Sequence, residues 1–367
     1  MVFEVDVTIV GGGVVGLFLG CRLAQLGLSI RVLERRTAPS SHSRAIGIHP
    51  PALERLAELG LAGAFVREGV KVARGHAYAG TKKLGTLEFG TCRPPYPFIL
   101  TLPQPRTEAL LRERLEDLAP DALLCGAEVS GFEPDQGGVT VRLRDGESLR
   151  SRYLVAADGK ESALRRLLNI PFRGGRYPDT YLMGDFTDAT ALGHDAGLYF
   201  TRAGLVESFP LPGRVRRWVV KTPQLVARPT PEGLEQLVFE RLGVRLSVET
   251  NTMLSAFGVQ RFLAARFVEG RVALVGDAAH VLSPIGGQGM NLGWLGAWRL
   301  ADALQNGDLA PYAAHRRSAQ SAGRRAAFNT VMGRASPLAP LRDALAWSIL
   351  HTPLRRTFAE VFTMRGL

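Results

Sequence analysis

Two glycine-rich turns at opposite ends of the chain constrain its fold more than any other feature. The first, Gly11-Gly12-Gly13-Val14-Val15-Gly16, follows the apolar run Val7-Thr8-Ile9-Val10; the second, Gly276-Asp277-Ala278-Ala279-His280, is followed by Gly286-Gly287-Gln288-Gly289-Met290-Asn291. Either alone is modest evidence. As a pair they predict two strand-to-helix turns converging on one long, phosphate-bearing ligand.

Val5 to Val10 is a short β-branched run suited to a buried parallel strand, and Leu17 to Leu26 carries apolar residues at helical spacing. Between them Gly11 permits a tight turn, Gly13 lets backbone approach a pyrophosphate, and Gly16 allows helix to pack closely on strand. The helix N-terminus then offers free N–H groups and a positive dipole end to the phosphates. A second strand, Ile30 to Leu33, ends in Glu34, 18 residues after Gly16, where the dinucleotide fingerprint places an acid for ribose hydroxyls. At the other end, Val272 to Val275 reads as a buried strand with Asp277 at its carboxyl end, where open α/β sheets present ligand-binding groups. Asp277 would accept hydrogen bonds from sugar or ribityl hydroxyls, or serve only as a helix cap. Pro284 to Asn291 opens a helix whose backbone N–H groups would face a delocalised anion.

At 367 residues the chain is long enough for about two domains and a large core. The first strand lies close behind Met1, and the glycine-broken run over 9–20 is too short to span a bilayer, so neither signal peptide nor membrane helix is expected and the location is read as cytoplasmic. Cys21, Cys92 and Cys125 show neither metal spacing nor a disulfide framework and are expected as buried small hydrophobes. The seven histidines form no ligand cluster in sequence, so no metal is expected. The net charge of +11 comes mostly from arginine, since only Lys71, Lys82, Lys83, Lys160 and Lys221 are lysines. It reads as a solvated basic surface that attracts anionic ligands; no nucleic-acid motif accompanies it.

Along the chain, Pro50 to Leu61 and Thr107 to Leu118 read as helices, the first with proline in its first turn and Gly60 closing it. Residues from Leu123 to Leu143 suggest a strand pair around Gly137-Gly138, leading to a third buried strand, Tyr153 to Ala157. It stops at Asp158-Gly159, before a helix with Ser162, Arg165 and Leu168. From about 176 to 262 the texture changes to short alternating strands separated by Pro/Gly turns, as in Pro210-Leu211-Pro212-Gly213, before the βα pattern returns at Val272. The expected class is α/β, with a mainly antiparallel sheet inserted into a discontinuous dinucleotide-binding domain. Its pieces are 1–75, 97–175 and 263–335; the sheet takes 76–96 and 176–262, and 336–367 forms a C-terminal helical tail broken at Pro353. In that tail Leu341, Leu345, Ile349 and Leu350 make a stripe read as packing on the core, with peripheral membrane contact as the lesser reading.

With both ends in view the chain resembles the group A FAD-dependent monooxygenases, flavoprotein aromatic hydroxylases of the para-hydroxybenzoate hydroxylase type. The residues carrying the likeness span nearly the whole length. They are the fingerprint with Glu34, Ser43-Arg44-Ala45 before the Pro50 helix, Leu102-Pro103-Gln104 before the next, Ala157-Asp158-Gly159 with Ser162 and Arg165, and Gly276 to Asn291. The resemblance implies a Rossmann-like FAD domain of the glutathione reductase type. Gly11, Gly13, Gly16, Glu34 and Arg35 would hold the ADP part, Arg44 would lie near the pyrophosphate and mobile flavin, and Gln104 would contact the flavin. Asp158 would belong to a motif associated with FAD and NAD(P)H. Gly276 and Asp277 would bind the ribityl chain, while Pro284, Gly286, Gly287, Gly289, Met290 and Asn291 would lie beneath the pyrimidine edge of the isoalloxazine. Plainer readings stay open: a surface arginine for Arg44, a helix-start residue for Gln104, a turn former for Asp158. Two positions depart from the family's habit: Gly296 stands where an acid is usual, and His315 replaces the acid before Arg316-Arg317.

By the same resemblance, NAD(P)H would reduce bound FAD and O2 would add to give a C4a-hydroperoxyflavin that hydroxylates an electron-rich small molecule. Backbone N–H groups of Gly287, Gln288, Gly289 and Met290 would stabilise charge on the flavin. Phe186, Tyr199, Phe209, Trp218 and Phe257 of the inserted sheet are the candidates to line the substrate pocket, each with plain core as its alternative. A reductase of isoprenoid double bonds and a non-enzymatic flavin-binding protein remain open; a halogenase is disfavoured because its Trp-x-Trp-x-Ile-Pro signature is absent. Substrate identity, NADH against NADPH and oligomeric state are not fixed by the sequence.

Overall fold

The computed structural model describes residues 4–38, 44–335 and 338–365. Strand β1 (Val5–Val10) is buried along nearly its whole length and lies at the centre of a parallel array. The spatial order is Val272–Leu274, Ser148–Ala156, β1, Ile30–Glu34 and Leu123–Cys125. A sheet covered on both faces needs apolar residues at successive positions, and Val7, Ile9, Val32, Leu154 and Val155 supply them. Helix α1 (Val14–Gln25) packs against helices Gln104–Leu118 and Gln288–Asn306. The fit to the second is close: a Cβ on Gly293 would come within 2.8 Å of the Val15 side chain, and the Trp294 indole donates to the Val14 carbonyl at 2.8 Å.

Local expectations hold with three adjustments. The helix expected over Pro50 to Leu61 stops at Glu58, with Gly60 at φ +76°. The one expected from Thr107 begins at Gln104, because Pro105 is accommodated in its first turn. The expected strand pair is Val129–Pro134 with Val139–Leu143. Leu123–Cys125 is not part of it but continues the parallel array beside Ile30–Glu34, a long-range pairing that local pattern does not encode.

The second sheet has eight strands, in the order His280–Val281, Met253–Ala264, Phe172–Thr187, Val215–Thr222, Gly204–Leu211, Ala196–Thr201, Arg74–Ala79 and Lys82–Glu88. All its pairs are antiparallel except Ala196–Thr201 with Arg74–Ala79. Strand pairing thus extends a few residues outside 76–96 and 176–262, at Arg74 and Phe172, and recruits His280–Val281 from the returning βα segment. One face of this sheet packs Leu182, Phe186, Val206, Trp218 and Val220 against helix Pro231–Leu242. The other face, with Met183, Leu205, Val219 and Phe257, looks toward the glycine-rich turns.

The tail forms helices Ala339–His351 and Leu354–Phe362, with Pro353 capping the second. Its stripe meets the expectation only in part. Leu350 is buried against the strand at Gly85, and Leu345 and Ile349 border the interior cavity with it, whereas Leu341 is 69% exposed. Cys21 and Cys92 are buried, but Cys125 is exposed, because it ends the edge strand of the parallel array. No helix among the described residues is long and apolar enough to cross a membrane, and no three metal-ligating side chains cluster there. Gly296 and His315, the two departures, prove to be neighbours: a Cβ on Gly296 would approach the His315 ring at 3.1 Å.

Candidate functional site

The glycine-rich turns and the inner face of the second sheet enclose one cavity of about 880 Å³, near the upper end of the range for small-molecule sites, about 300–1,000 Å³. At one end stands the first turn. Gly11 adopts φ +113°, and a Cβ there would lie 2.3 Å from the Ala157 carbonyl oxygen; on Gly16 it would lie 1.9 Å from the Gly11 oxygen. Gly13 differs, since its Cβ would meet nothing within 4 Å and it borders the cavity. The first main-chain bond of α1 runs from Leu17 N–H to the Gly13 carbonyl. Val14, Val15 and Gly16 N–H are therefore left for another acceptor, with no side-chain cap and no acid in the first turn.

Glu34 is buried and does not itself border the cavity. Its Oε2 accepts from Gly12 N–H at 2.8 Å and its Oε1 from the Arg36 main chain and Nε, each at 2.9 Å. Burial alone would raise its pKa, but the bonds from Arg36 and Gly12 outweigh that and hold it below the usual value. Arg36, not the exposed Arg35, reaches the cavity, because the chain turns away after Glu34. Gln104 also borders it and donates to Glu108 Oε1 at 3.1 Å. Glu108, which sequence reading missed, keeps its buried Oε2 without a partner.

Midway lies Asp277, deep in the molecule but with its side chain open, because the space it faces is the cavity. Its carboxylate has no protein hydrogen-bond partner among the described residues. Burial pushes its pKa up to about 6, against the opposing charge of Lys160. Gly276 precedes it at φ +62°, packed on Val15. Asp158 is set back from the cavity: its Oδ2 accepts from Ala163 and Leu164 N–H and caps the short helix Ala163–Leu167, although its Oδ1 is a buried atom without a partner. Arg165 ties the Asp158-Gly159 turn to the Gly276–Ala278 turn, donating to the Ala278 carbonyl at 3.0 Å and the Lys160 carbonyl at 2.7 Å, with its guanidinium 3.7 Å from the Phe172 ring centroid.

Beyond Asp277 the wall is Pro284, Gly286, Gly287, Gly289 and Met290. Gly286 and Gly287 have φ +92° and +65°, and Gly287 caps the helix Gln288–Asn306 without a side-chain cap. Gln288 and Asn291 are buried beneath this wall. The Asn291 amide accepts from His49 N–H at 2.8 Å and donates to the Gly47 and Gly287 carbonyls at 2.9 Å each, so it holds the loop in place. His49, a second residue missed in sequence, borders the cavity with Nε2 3.1 Å from the Gly286 carbonyl. A carbonyl only accepts, so Nε2 carries the proton. Burial holds the ring pKa at about 4, hence neutral, even though the Gly286 bond opposes the shift. Arg44 borders the cavity and its carbonyl accepts from Arg217 at 3.0 Å; its neighbour Ser43 lies outside the described residues.

The five aromatic candidates divide by strand parity. Phe209 and Phe257 border the cavity. Phe186, Tyr199 and Trp218 do not: they point to the opposite face, where Trp218 and Phe186 are buried with the Pro231–Leu242 helix and Tyr199 stacks on Tyr78 and Trp218. Successive side chains alternate between faces, so Val219 and Arg217 face inward when Trp218 faces outward. Arg217 is held there by a bidentate pair with Asp185, both bonds 2.7 Å, and Glu207 also lies on this inner wall.

These groups fit a long cofactor with a phosphate-bearing half and a polyol chain. Open backbone at Gly13, free N–H groups behind it and an unpartnered Asp277 carboxylate all lie along one continuous space.

The sequence family described as FAD binding domain matches residues 4–319. A rifampicin monooxygenase of Streptomyces venezuelae is 35% identical over 308 residues, 81% of this chain and 64% of its own length. A 6-methylpretetramide 4-monooxygenase of Streptomyces rimosus is 34% identical, over 82% of this chain and 56% of its own length. The chain thus spans less than two thirds of the length of these curated relatives. Among solved structures, an anhydrotetracycline hydroxylase from Streptomyces rimosus superposes with a TM-score of 0.80 at 31% identity, covering 99% of this chain and 76% of that one. A p-nitrophenol 4-monooxygenase from Pseudomonas putida shares the fold with a TM-score of 0.89 at 24% identity, covering 100% and 99% of the two chains.

Proposed function

The chain belongs to the FAD binding domain family, and we propose that it is an FAD-dependent monooxygenase that uses NAD(P)H and O2 to hydroxylate an aromatic or other electron-rich small molecule. The observation that carries this reading is the continuity of the cavity. It runs from the free N–H groups of α1 past Asp277 to Gly286–Met290 and ends against the apolar wall of Met183, Phe209, Val219 and Phe257. Val14, Val15 and Gly16 N–H would bind the pyrophosphate, with Arg36 adding charge, while Glu34 orders the turn. Asp277 would accept from the ribityl hydroxyls. When bound, FAD supplies hydride acceptance from the nicotinamide and activation of dioxygen.

The remaining work falls to the chain's own groups. The N–H groups at the start of the Gln288–Asn306 helix would hold negative charge at the pyrimidine edge without a titrating side chain. Asn291 and neutral His49 fix the loop that aims them, and the apolar wall excludes water from the reacting centre. Free cysteines, one of them exposed, support a cytoplasmic setting.

Purified protein loaded with FAD should consume O2 with NAD(P)H, and a panel of phenols and polycyclic aromatics related to the relatives' substrates should yield a product heavier by one oxygen. Flavin that is reduced readily while no panel member gains oxygen would favour the reductase reading.

A further inference from the structure

Glu207 is an uncompensated acid in an apolar wall. It lies on strand Gly204–Leu211, opposite Leu198 on one neighbouring strand and Val219 on the other. It is 5% exposed, and it borders the cavity between Leu205 and Phe209. Its carboxylate has no hydrogen-bond or ion-pair partner among the described residues. The ionisable groups near it are otherwise engaged or neutral. Arg217 is held by Asp185, and Lys221 and Arg334 are held by Asp179. Tyr181, on Phe172–Thr187, has a buried hydroxyl without a partner, and burial together with the charge of Glu207 pushes its ionisation up. An apolar residue at 207 would avoid the cost of burying a lone carboxyl, and the cavity it borders leaves room for a partner on the ligand side.

We infer that Glu207 reads the substrate: its carboxylate accepts a hydrogen bond from a hydroxyl or N–H group on an otherwise apolar aromatic ligand. This rests on the hydroxylase reading above and adds to it a specificity-determining residue, one that selects aromatics carrying a donor over ethers and hydrocarbons of similar outline. Burial pushes the Glu207 carboxyl up to about 7. The group is therefore an ionised, strong acceptor above neutrality and a weaker one below, so selection sharpens as pH rises.

The test uses FAD-loaded protein with 2-naphthol and 2-methoxynaphthalene, in which a methyl group replaces the donated proton and which stay largely neutral between pH 5.5 and 8.5; Glu207→Leu controls for the added methyl. Binding is followed by calorimetry and by the change in flavin absorbance. Wild type should prefer the naphthol by roughly ten- to a hundredfold at high pH, as a charged hydrogen bond allows, and less at low pH. Glu207→Leu should abolish the preference, while Glu207→Gln should leave a smaller one that no longer varies with pH. Retained FAD content and a cooperative melting transition no lower than that of wild type establish that the variants are folded. An equal preference in wild type and Glu207→Leu, or no preference in wild type, including failure of both probes to bind, overturns the inference. Product analysis on the same samples separates the two readings: Glu207-dependent binding without any oxygenated product refutes the hydroxylase, and oxygenation indifferent to Glu207 refutes this role.

Discussion

The three fingerprint glycines do different jobs, and single alanine substitutions should separate them. On Gly16 the new methyl carbon would sit 1.9 Å from the Gly11 carbonyl oxygen, a backbone atom that cannot swing aside. Gly16→Ala should therefore cost about 1–3 kcal/mol of stability or more, as overpacking does. On Gly13 the same carbon meets nothing within 4 Å, and φ −84°, ψ −178° suits alanine. Its effect on stability is small, because the lower entropy of the unfolded chain, about 0.4–1 kcal/mol, is offset by alanine's poorer helix capping. What Gly13→Ala fills is the open space in front of the Val14 and Val15 N–H groups. If the pyrophosphate takes two charge-assisted bonds there, each about 1.5–3 kcal/mol, their loss weakens FAD on the order of a hundred- to ten-thousandfold. The assay pairs urea unfolding of the apoprotein with FAD titration by flavin fluorescence. A Gly13→Ala protein with wild-type stability and wild-type FAD affinity would remove the phosphates from this turn.

Asp277 gives a pH signature. Ribityl hydroxyls donate to the carboxylate and so favour its charged form, whereas burial in the apo state has pushed its pKa up to about 6; FAD binding should release a proton and weaken as pH falls from about 6 toward 4. Asp277→Ala should bind FAD roughly ten- to a hundredfold less tightly at pH 7.5, for about 1.5–3 kcal/mol of lost bonds, and without that slope; an unchanged slope would refute a bond from the ribityl chain to this carboxylate. On the second sheet, Trp218→Ala should cost about 3–5 kcal/mol in urea unfolding. Phe257→Ala should instead alter which aromatics uncouple NAD(P)H oxidation from product formation; equal stability losses in the two variants would contradict the assignment of their faces.

The glycine-rich end of the cavity was legible because its shape depends on backbone conformation, and backbone demands are written in glycines. Gly11, Gly276, Gly286 and Gly287 all take positive φ, which few other residues tolerate. What the fingerprint did not reveal is who fills each place. Arg36, not Arg35, borders the cavity, and Asp158 caps a helix behind the cavity wall. Asn291 is fully engaged by Gly47, His49 and Gly287. These depend on where the chain turns after a strand, which no spacing rule supplies. The paired departures Gly296 and His315 show the same limit. Each looks like an isolated loss of an acid, yet the ring of one occupies the space left by the other.

The substrate wall was hardest to read, for a reason that lies in strand geometry. A period of two tells which residues share a face, but not which face is the cavity, and here both faces are apolar. Large aromatics were the natural candidates, and three of the five went to the closed side, where a ring can be surrounded completely, as Trp218 and Phe186 are. A cavity wall has the opposite property: part of its packing is left for a ligand to complete, so it can keep a polar group that the protein does not satisfy. On Gly204–Leu211 the inward residues are Leu205, Glu207 and Phe209. A carboxylate interrupting the apolar run of inward residues would have marked the inner face more surely than any aromatic, because a closed apolar core has no use for an acid there.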